Sequence, residues 1–194
     1  MPASALTYHL ATHVIGCLWA ITCLYWIVRA FGNKKTKVRR SLLLRLVTFF
    51  LLWATFKMIQ SQTGLDNRLL PVNGATELLV VLICAAGLAL AIWARSILGR
   101  NWSGFVVIKE DHELIQGGPY KVVRHPRYTG LILALIGTNL ALFPTERGIV
   151  LVGIWLLAFY IKARAEERIL TQEFGEQYTH YKQRVTGALI PFLL

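Results

Sequence analysis

The amino-acid sequence predicts an all-α integral membrane protein with about five transmembrane helices, organised as a single membrane domain over residues 1–194. Of the 194 residues, 55% are hydrophobic and only 16% are charged, a composition too apolar for a surface that faces water on all sides. The mean hydropathy of +0.51 agrees. The 21 Lys and Arg against 10 Asp and Glu give a net charge of +11. In a membrane protein this excess favours contact with anionic headgroups of the lipid bilayer, and no nucleic-acid partner is predicted.

The first predicted span covers residues 5–28, which carry no charge. Roughly 20 residues are enough to cross a hydrocarbon core of about 30 Å as a helix. Six basic residues follow without an acidic one, namely Arg29, Lys34, Lys35, Lys37, Arg39 and Arg40. By the positive-inside rule this loop is cytoplasmic and the amino terminus lies outside. Since no basic residue precedes the apolar stretch, it is interpreted as a retained span and not as a signal peptide.

Two further spans complete the amino-terminal part of the chain, residues 1–98. Residues 42–59 form an apolar run with Arg45 and Lys57 near its ends, where long side chains can reach the membrane interface. A loop rich in turn-forming residues then leads to a third run, residues 78–97. Arg95 and Arg100 mark its cytoplasmic end.

Residues 99–194 contain the polar segments and two short apolar runs. The segment 99–128 is polar and is interrupted by several glycines. The apolar runs 131–143 and 148–161 are each shorter than an ordinary span and are separated by only four residues, so we expect a tight helical hairpin. The segment 99–128 and the carboxyl-terminal tail then meet on the cytoplasmic face.

Several kinds of chemistry are disfavoured by the sequence. Cys17, Cys23 and Cys84 all lie in apolar runs without the spacing of metal ligands, so no metal site is predicted. The nucleotide-binding glycine motifs and the serine-esterase motif are also missing from the sequence.

Two groups of polar residues next to the predicted membrane helices remain as candidates for a site. The first comprises Gly117-Gly118-Pro119-Tyr120 followed by Arg124-His125-Pro126-Arg127-Tyr128. Pro126 begins a helix, whose first N–H groups could bind an anion. The second comprises Lys162 and Glu166, one helical turn apart, with Glu167 beside them. Together they predict a site for a zwitterionic ligand; an interfacial belt with a surface ion pair is the alternative.

The order of these motifs is similar to that in the isoprenylcysteine carboxyl methyltransferases. The motifs that carry the resemblance are Leu98-Gly99-Arg100-Asn101-Trp102-Ser103, His112-Glu113-Leu114-Ile115, Gly118-Pro119-Tyr120, Arg124-His125-Pro126-Arg127-Tyr128, Glu166-Glu167 and the run from Glu173 to Tyr181. The resemblance covers about residues 95–191 and extends to a wider group of phospholipid and small-thiol methyltransferases. In length and layout the chain resembles the compact prokaryotic members.

The resemblance implies that S-adenosylmethionine binds in a cytoplasmic pocket formed by the segment 99–128 and the carboxyl-terminal tail. The implied cofactor contacts are His112, Glu113, Leu114, Ile115, Tyr120, His125, Pro126, Arg127, Tyr128 and Glu166. The implied catalytic residues are Lys162, Glu166 and Tyr128. Lys162 is also the implied substrate-binding residue, at a position where the family has an arginine that holds the substrate carboxylate.

The expected activity is therefore methyl transfer to the carboxylate of an isoprenylcysteine-like or other lipophilic acceptor. A phospholipid amine N-methyltransferase and a small-thiol S-methyltransferase are the alternative enzymes. The alternative of another class is a non-catalytic membrane protein whose basic loop binds anionic lipid.

Overall fold

The computed structural model describes residues 3–31, 53, 55, 57, 67, 69–71, 73–99 and 114–191, and the regular structure of these residues is helical. The helices are α1 (Ala3–Ala30), α2 (Gly74–Leu98), α3 (Pro126–Leu142), α4 (Glu146–Phe174) and α5 (Glu176–Arg184), with a 3₁₀ turn at Gly118–Lys121 before α3. The predicted span 42–59, apart from three of its residues, lies outside the described part of the chain. The basic loop after Arg29 also lies largely outside it.

Three of the described helices are long and apolar enough to cross a membrane. The apolar segments are Leu10–Ala30, Gly74–Leu98 and Glu146–Phe174. They overlap the first predicted span and contain the third, and in the described part of the chain they agree with the prediction of a helical membrane protein. Helix α3 has 17 residues, fewer than the roughly 20 that a helix needs to span the hydrocarbon core without distortion.

Helices α2 and α3 form the most extensive contact between described elements, and small residues let their backbones touch. A Cβ on Gly130 would lie 2.6 Å from the carbonyl oxygen of Gly87, and a Cβ on Gly137 would lie 2.6 Å from the backbone nitrogen of Cys84. No side chain fits in such gaps. In a bilayer, where helix association depends on close packing, small residues at an interface serve this purpose.

Helix α1 packs on this pair through an apolar cluster and a hydrogen bond between side chains. Ile15 of α1 is buried together with Val80 and Leu88 of α2. The indole Nε1 of Trp19 donates to Thr138 Oγ1 on α3 over 3.0 Å. This contact fixes the rotation of α1 against the pair inside the apolar region, where polar groups have few other partners.

The carboxyl-terminal ends of α1 and α2 are joined by Arg95, whose side chain is fully buried. Its guanidinium donates to the carbonyl of Gly99 over 2.6 Å and to that of Arg29 over 2.9 Å. The last carbonyls of a helix have no partner within the helix and carry the negative end of its dipole. Arg95 therefore stabilises the carboxyl-terminal ends of two helices at once.

Helices α3 and α4 are consecutive and are connected by residues 143–145. α4 runs well past the apolar segment that predicted it and ends only at Phe174, where Gly175 has a φ of 53°. The intervening residues include neither Gly nor Pro, so nothing interrupts the helix before that glycine. As a result one rigid helix carries both an apolar segment and the polar residues of the candidate site.

Candidate functional site

The start of α3 carries the first group of candidate residues. Gly118, with a φ of 57°, opens the 3₁₀ turn that leads towards it. Pro126 is buried at the first position of α3, directly after His125. The expectation of free N–H groups in the first turn is only partly met, because the backbone N–H of Tyr128 donates to the carbonyl of His125 over 2.9 Å. A tight turn of this kind draws Tyr128 and His125 to the same side of the helix start.

Tyr128 is the centre of a chain of hydrogen bonds that joins α3 to α4. Its hydroxyl accepts a hydrogen bond from Arg127 Nη2 over 2.9 Å and donates to Glu166 Oε2 over 2.8 Å. The Tyr128 and Arg127 side chains are buried, whereas the side chain of Glu166 is 26% exposed. The carboxylate of Glu166 therefore lies at the edge of a buried cationic and phenolic network.

His125 lies between two carboxylates of α4. Its Nδ1 is 3.6 Å from Glu166 Oε2, and its Nε2 is 3.5 Å from Glu167 Oε1. The imidazole stacks on the ring of Tyr128 with centroids 5.5 Å apart. Among the described residues the buried Nε2 has no hydrogen-bond partner. A buried polar atom of this kind needs an explanation, such as a catalytic or binding role.

Lys162 reaches the same cluster from one turn earlier on α4. Its Nζ lies 5.4 Å from the centre of the Tyr128 ring, a distance at which the ring face attracts a cation. Phe159 contacts the same ring, with centroids 5.3 Å apart, and Trp155 contacts Phe159 at 6.3 Å. A row of aromatic rings thus leads from the apolar part of α4 to the polar cluster.

The segment after α5 lies against the start of α3. The backbone N–H groups of Arg124 and His125 donate to the carbonyls of Gly187 and Ala188 over 3.0 and 2.9 Å. Arg124 Nη1 lies 2.6 Å from the carbonyl oxygens of both Val185 and Thr186. We call residues 185–189 the carboxyl-terminal strap. The strap fixes the backbone of Arg124 and His125, which directly precede α3.

Helix α5 is anchored beside the site by buried tyrosines. The hydroxyl of Tyr181 donates to the backbone carbonyl of Tyr120 over 2.8 Å, and the hydroxyl of Tyr120 is 3.4 Å from the carbonyl of Ala94. Burial raises the pKa of both phenols. Each therefore stays protonated at neutral pH and serves as a donor.

The structure brings five of the eleven predicted site residues into one cluster. Tyr128, Arg127, His125, Glu166 and Lys162 form one cluster at the junction of α3 and α4. Tyr120 and Pro126 are buried in the approach to α3. Two of the predicted cofactor contacts, Leu114 and Ile115, are half-buried, and Leu114 packs against the tyrosines of α5. His112 and Glu113 lie outside the described residues.

Arg124 and Glu167 belong to the two candidate groups of the sequence, but neither their burial nor a role for either in the site was predicted. Arg124 Nε is 2.6 Å from Glu167 Oε1, and both side chains are buried. Arg124 precedes His125 and Glu167 follows Glu166 in the sequence, so both lie next to residues that were predicted for the site. Glu167 is one helical turn from Ala163, which is also buried, so the buried face of α4 continues through a carboxylate. A charge on such a face requires a buried partner.

Comparison with known proteins gives consistent matches. Residues 79–172, about half of the chain, match the isoprenylcysteine carboxyl methyltransferase family. The protein-S-isoprenylcysteine O-methyltransferase of Saccharomyces cerevisiae is 31% identical over 142 residues, which are 70% of this chain and 59% of the yeast protein. Protein-S-isoprenylcysteine O-methyltransferase B of Arabidopsis thaliana is 33% identical over 97 residues, 49% of each chain. The chain thus spans about half the length of the curated relatives it matches.

A solved structure has a similar fold. The structure of a eukaryotic intramembrane Ras methyltransferase, an isoprenylcysteine carboxyl methyltransferase, aligns with a TM-score of 0.51 at 23% sequence identity. The alignment covers 80% of this chain and 55% of that one. At this identity the match concerns the arrangement of the helices.

Proposed function

Because the chain belongs to the isoprenylcysteine carboxyl methyltransferase family, we propose that it is an integral membrane methyltransferase that uses S-adenosylmethionine. The proposed acceptor is the carboxylate of an isoprenylcysteine-like or similarly lipophilic molecule. The observation that carries the proposal is the cluster around Tyr128, in which the family motifs of α3 and α4 meet. These motifs lie more than 30 residues apart in the sequence and share hydrogen bonds in the fold.

The residues of the cluster fit S-adenosylmethionine, a ligand with a carboxylate, an ammonium, ribose hydroxyls and a sulfonium. Glu166 offers a partly exposed carboxylate to a hydroxyl or a cation. Arg127 and His125 are buried beside it, and Nε2 of His125 has no hydrogen-bond partner within the described part of the chain. Tyr120, together with Leu114 and Ile115, would line the approach. When bound, the cofactor supplies a methyl group that is already activated on sulfur.

The protein then has to orient the acceptor and exclude water. Tyr128 is fixed on both sides, by Arg127 and by Glu166, so its ring and hydroxyl form a rigid wall of the site. A carboxylate acceptor is ionised at neutral pH and needs no general base. Alignment of the acceptor in a water-poor site therefore suffices for catalysis.

Lys162 is the proposed partner of the acceptor carboxylate. Its cation lies over the ring of Tyr128, whose hydroxyl donates to Glu166. An ammonium attracts a carboxylate but lacks the planar two-pronged grip of an arginine. We therefore expect weaker orientation of the carboxylate than at an arginine site.

The aromatic row of α4 is the proposed contact surface for the apolar part of the acceptor. Trp155 and Phe159 lie one turn apart and lead from the apolar part of α4 to Tyr128. An acceptor that arrives from the bilayer would meet these rings first. A cofactor from the cytoplasm and an acceptor from the membrane would then meet at Tyr128.

An amine or thiol acceptor is the alternative within the enzymes. Such an acceptor must lose a proton, and His125, Tyr128 and Glu166 are the groups in the cluster that could assist. The position of Lys162 favours an anionic acceptor over an amine, because a cation beside the site repels an ammonium. A non-catalytic role would leave the cluster without a ligand.

The first test is calorimetric titration of the detergent-purified full chain with S-adenosylhomocysteine. We expect saturable binding that weakens by about tenfold or more when Glu166→Ala removes the carboxylate. The matched control is Glu176→Ala, an exposed glutamate of α5, which should bind as the wild type does. Absence of binding in a folded sample would contradict the proposed function and favour the non-catalytic alternative.

Acceptor choice is tested next by transfer of a labelled methyl group from S-adenosylmethionine. Farnesylcysteine analogues, phospholipid vesicles and small thiols are compared with the same preparation. Methylation of the prenylcysteine alone would support the proposal. Methylation of lipid amines or thiols in its place would select the corresponding alternative.

The positive-inside rule places the amino terminus outside and the carboxyl terminus in the cytoplasm. In this orientation α4 begins at the outer side and carries Lys162, Glu166 and Glu167 towards the cytoplasm. Fusion of a fluorescent protein to the carboxyl terminus tests it in a bacterial host. Fluorescence is expected for a cytoplasmic carboxyl terminus, whereas activity of an alkaline phosphatase fusion at that end would contradict the orientation.

A further inference from the structure

We infer that Glu167 is a positioning residue that acts on the proposed cofactor site through His125. The inference rests on the proposed function and concerns a residue to which the family resemblance gave no role. Glu167 is on the buried face of α4, and its side chain is 4% exposed. It is close to the ring of His125 on the side opposite Glu166.

Four nitrogen-bearing side chains surround the Glu167 carboxylate. Oε1 is 2.6 Å from Arg124 Nε and 3.5 Å from His125 Nε2; Oε2 is 3.6 Å from Arg164 Nη1 and 4.0 Å from Lys182 Nζ. The short contact with Arg124 is an ion pair between buried groups, and Arg164 and Lys182 approach from the surface. These cations stabilise the negative charge and fix the position of the carboxylate.

The fixed carboxylate constrains the imidazole of His125. The Glu167 carboxylate, 3.5 Å from Nε2, favours the tautomer with the proton on this nitrogen, because the negative charge attracts that proton even without a hydrogen bond. The ring is also confined by its stack on Tyr128 and by the N–H of its own backbone, which donates to Ala188. Since Glu166 lies on the Nδ1 side, Glu167 determines the orientation of the imidazole ring relative to the other side chains of the cluster.

Arg124 alone does not explain why this carboxylate lies so close to His125. Arg124 already donates to two carbonyls of the carboxyl-terminal strap, and a purely structural ion pair would need no imidazole within 3.5 Å. The shared oxygen Oε1 faces both groups. The geometry therefore points to a second function of Glu167, which is to orient His125.

The test is a double-mutant cycle between Glu167→Gln and His125→Ala, with affinity for S-adenosylhomocysteine as the readout. Each single variant is expected to weaken binding by about tenfold. If Glu167 acts through His125, Glu167→Gln should weaken binding little further in the His125→Ala background. Glu167→Asp, which keeps the charge, should restore part of the lost affinity. Glu176→Gln on α5 is the matched control and should bind normally.

Each outcome has a definite meaning. Losses that multiply in the double variant would show that Glu167 acts independently of His125 and would overturn the inference. Unchanged affinity in Glu167→Gln would overturn it as well. If Glu167→Gln fails to fold, the same cycle is run with Glu167→Asp and judged by the same criterion. If the folded wild type fails to bind, the proposed function fails first, and the inference with it.

Discussion

A single phenol, Tyr128, connects the two groups of residues that define the candidate site. Its hydroxyl bonds to Arg127 on one side and to Glu166 on the other, and its ring contacts His125, Phe159 and Lys162. The hydroxyl is thus needed for the position of both a cation and a carboxylate. The ring is needed for the packing of the neighbouring side chains.

Replacement of Tyr128 by phenylalanine separates these two contributions. Tyr128→Phe keeps the ring but removes the partner of Glu166, so we expect a loss of about 1–3 kcal/mol in the free energy of unfolding together with weaker binding of S-adenosylhomocysteine. Thermal unfolding in detergent and calorimetric titration measure the two effects. Tyr160→Phe, on the same helix as Glu166, is the control. Equal affinity for wild type and Tyr128→Phe would mean that the hydroxyl has no part in the site.

Lys162 offers a test of the acceptor class. Lys162→Arg restores a planar guanidinium, which can hold a carboxylate through two hydrogen bonds. We expect the KM for a prenylcysteine carboxylate to fall by about three- to tenfold, and Lys162→Met to raise it by about tenfold or more. Steady-state methyl transfer with the two variants measures this. A KM that stays the same in all three proteins would indicate that the acceptor does not contact residue 162.

Sequence patterns identified the members of the Tyr128 cluster more readily than the groups that support it. His125, Tyr128 and Glu166 belong to recognisable motifs. The ion pair between Arg124 and Glu167 joins residues 43 positions apart, and its burial depends on how the carboxyl-terminal strap folds over the start of α3. Long-range packing of this kind leaves no local pattern, so only the three-dimensional arrangement reveals it.

At the scale of the helices, the interface of α2 and α3 is the most extensive contact between the described elements. Gly87 and Gly130 face each other with no room for a side chain on either. A methyl group at such a contact forces the helices apart, and the other small residues along the interface then lose their packing. Stability should therefore depend strongly on these glycines.

Gly130→Ala is expected to lower the free energy of unfolding by about 2 kcal/mol or more, because the added Cβ would meet the backbone of α2. Gly153→Ala on α4 is the matched control, since a Cβ there has no neighbour within 4 Å. The control should be neutral or slightly stabilising, as alanine has the higher helix propensity. Thermal unfolding of the two variants in the same detergent compares them. Similar melting temperatures would contradict the close packing of α2 and α3.

The apolar helices were predictable because their signal is local. The uncharged segment 5–28 lies within α1, and the run 78–97 lies within α2. The end of α4 was harder to predict, because the apolar run stops near Ile161 and the helix continues to Phe174. Hydropathy marks where a helix leaves the membrane, whereas the helix itself ends where its hydrogen bonds can be capped, here at Gly175.

At the scale of the whole molecule, three separate parts of residues 99–194 surround the candidate site. Residues 124–129 form one wall, α4 forms the other, and the carboxyl-terminal strap closes the side. The strap bonds to Arg124 and His125 through their backbone, and its Leu189 carbonyl accepts from Thr129 Oγ1 over 2.5 Å. The geometry of the site therefore depends on the last described residues of the chain.

Deletion of residues 187–194 tests this dependence. It removes the carbonyls that accept from the backbone of Arg124 and His125 and from Thr129, and it leaves these donors without partners at the edge of the site. We expect a lower melting temperature and a loss of S-adenosylhomocysteine binding of about tenfold or more, since each lost hydrogen bond at a buried donor costs about 1–3 kcal/mol. Deletion of residues 192–194 alone keeps the strap and is the control. Full binding by the longer deletion would show that α3 and α4 hold the site without the strap. Contacts with Glu167 and Tyr128 would then be sufficient to position His125.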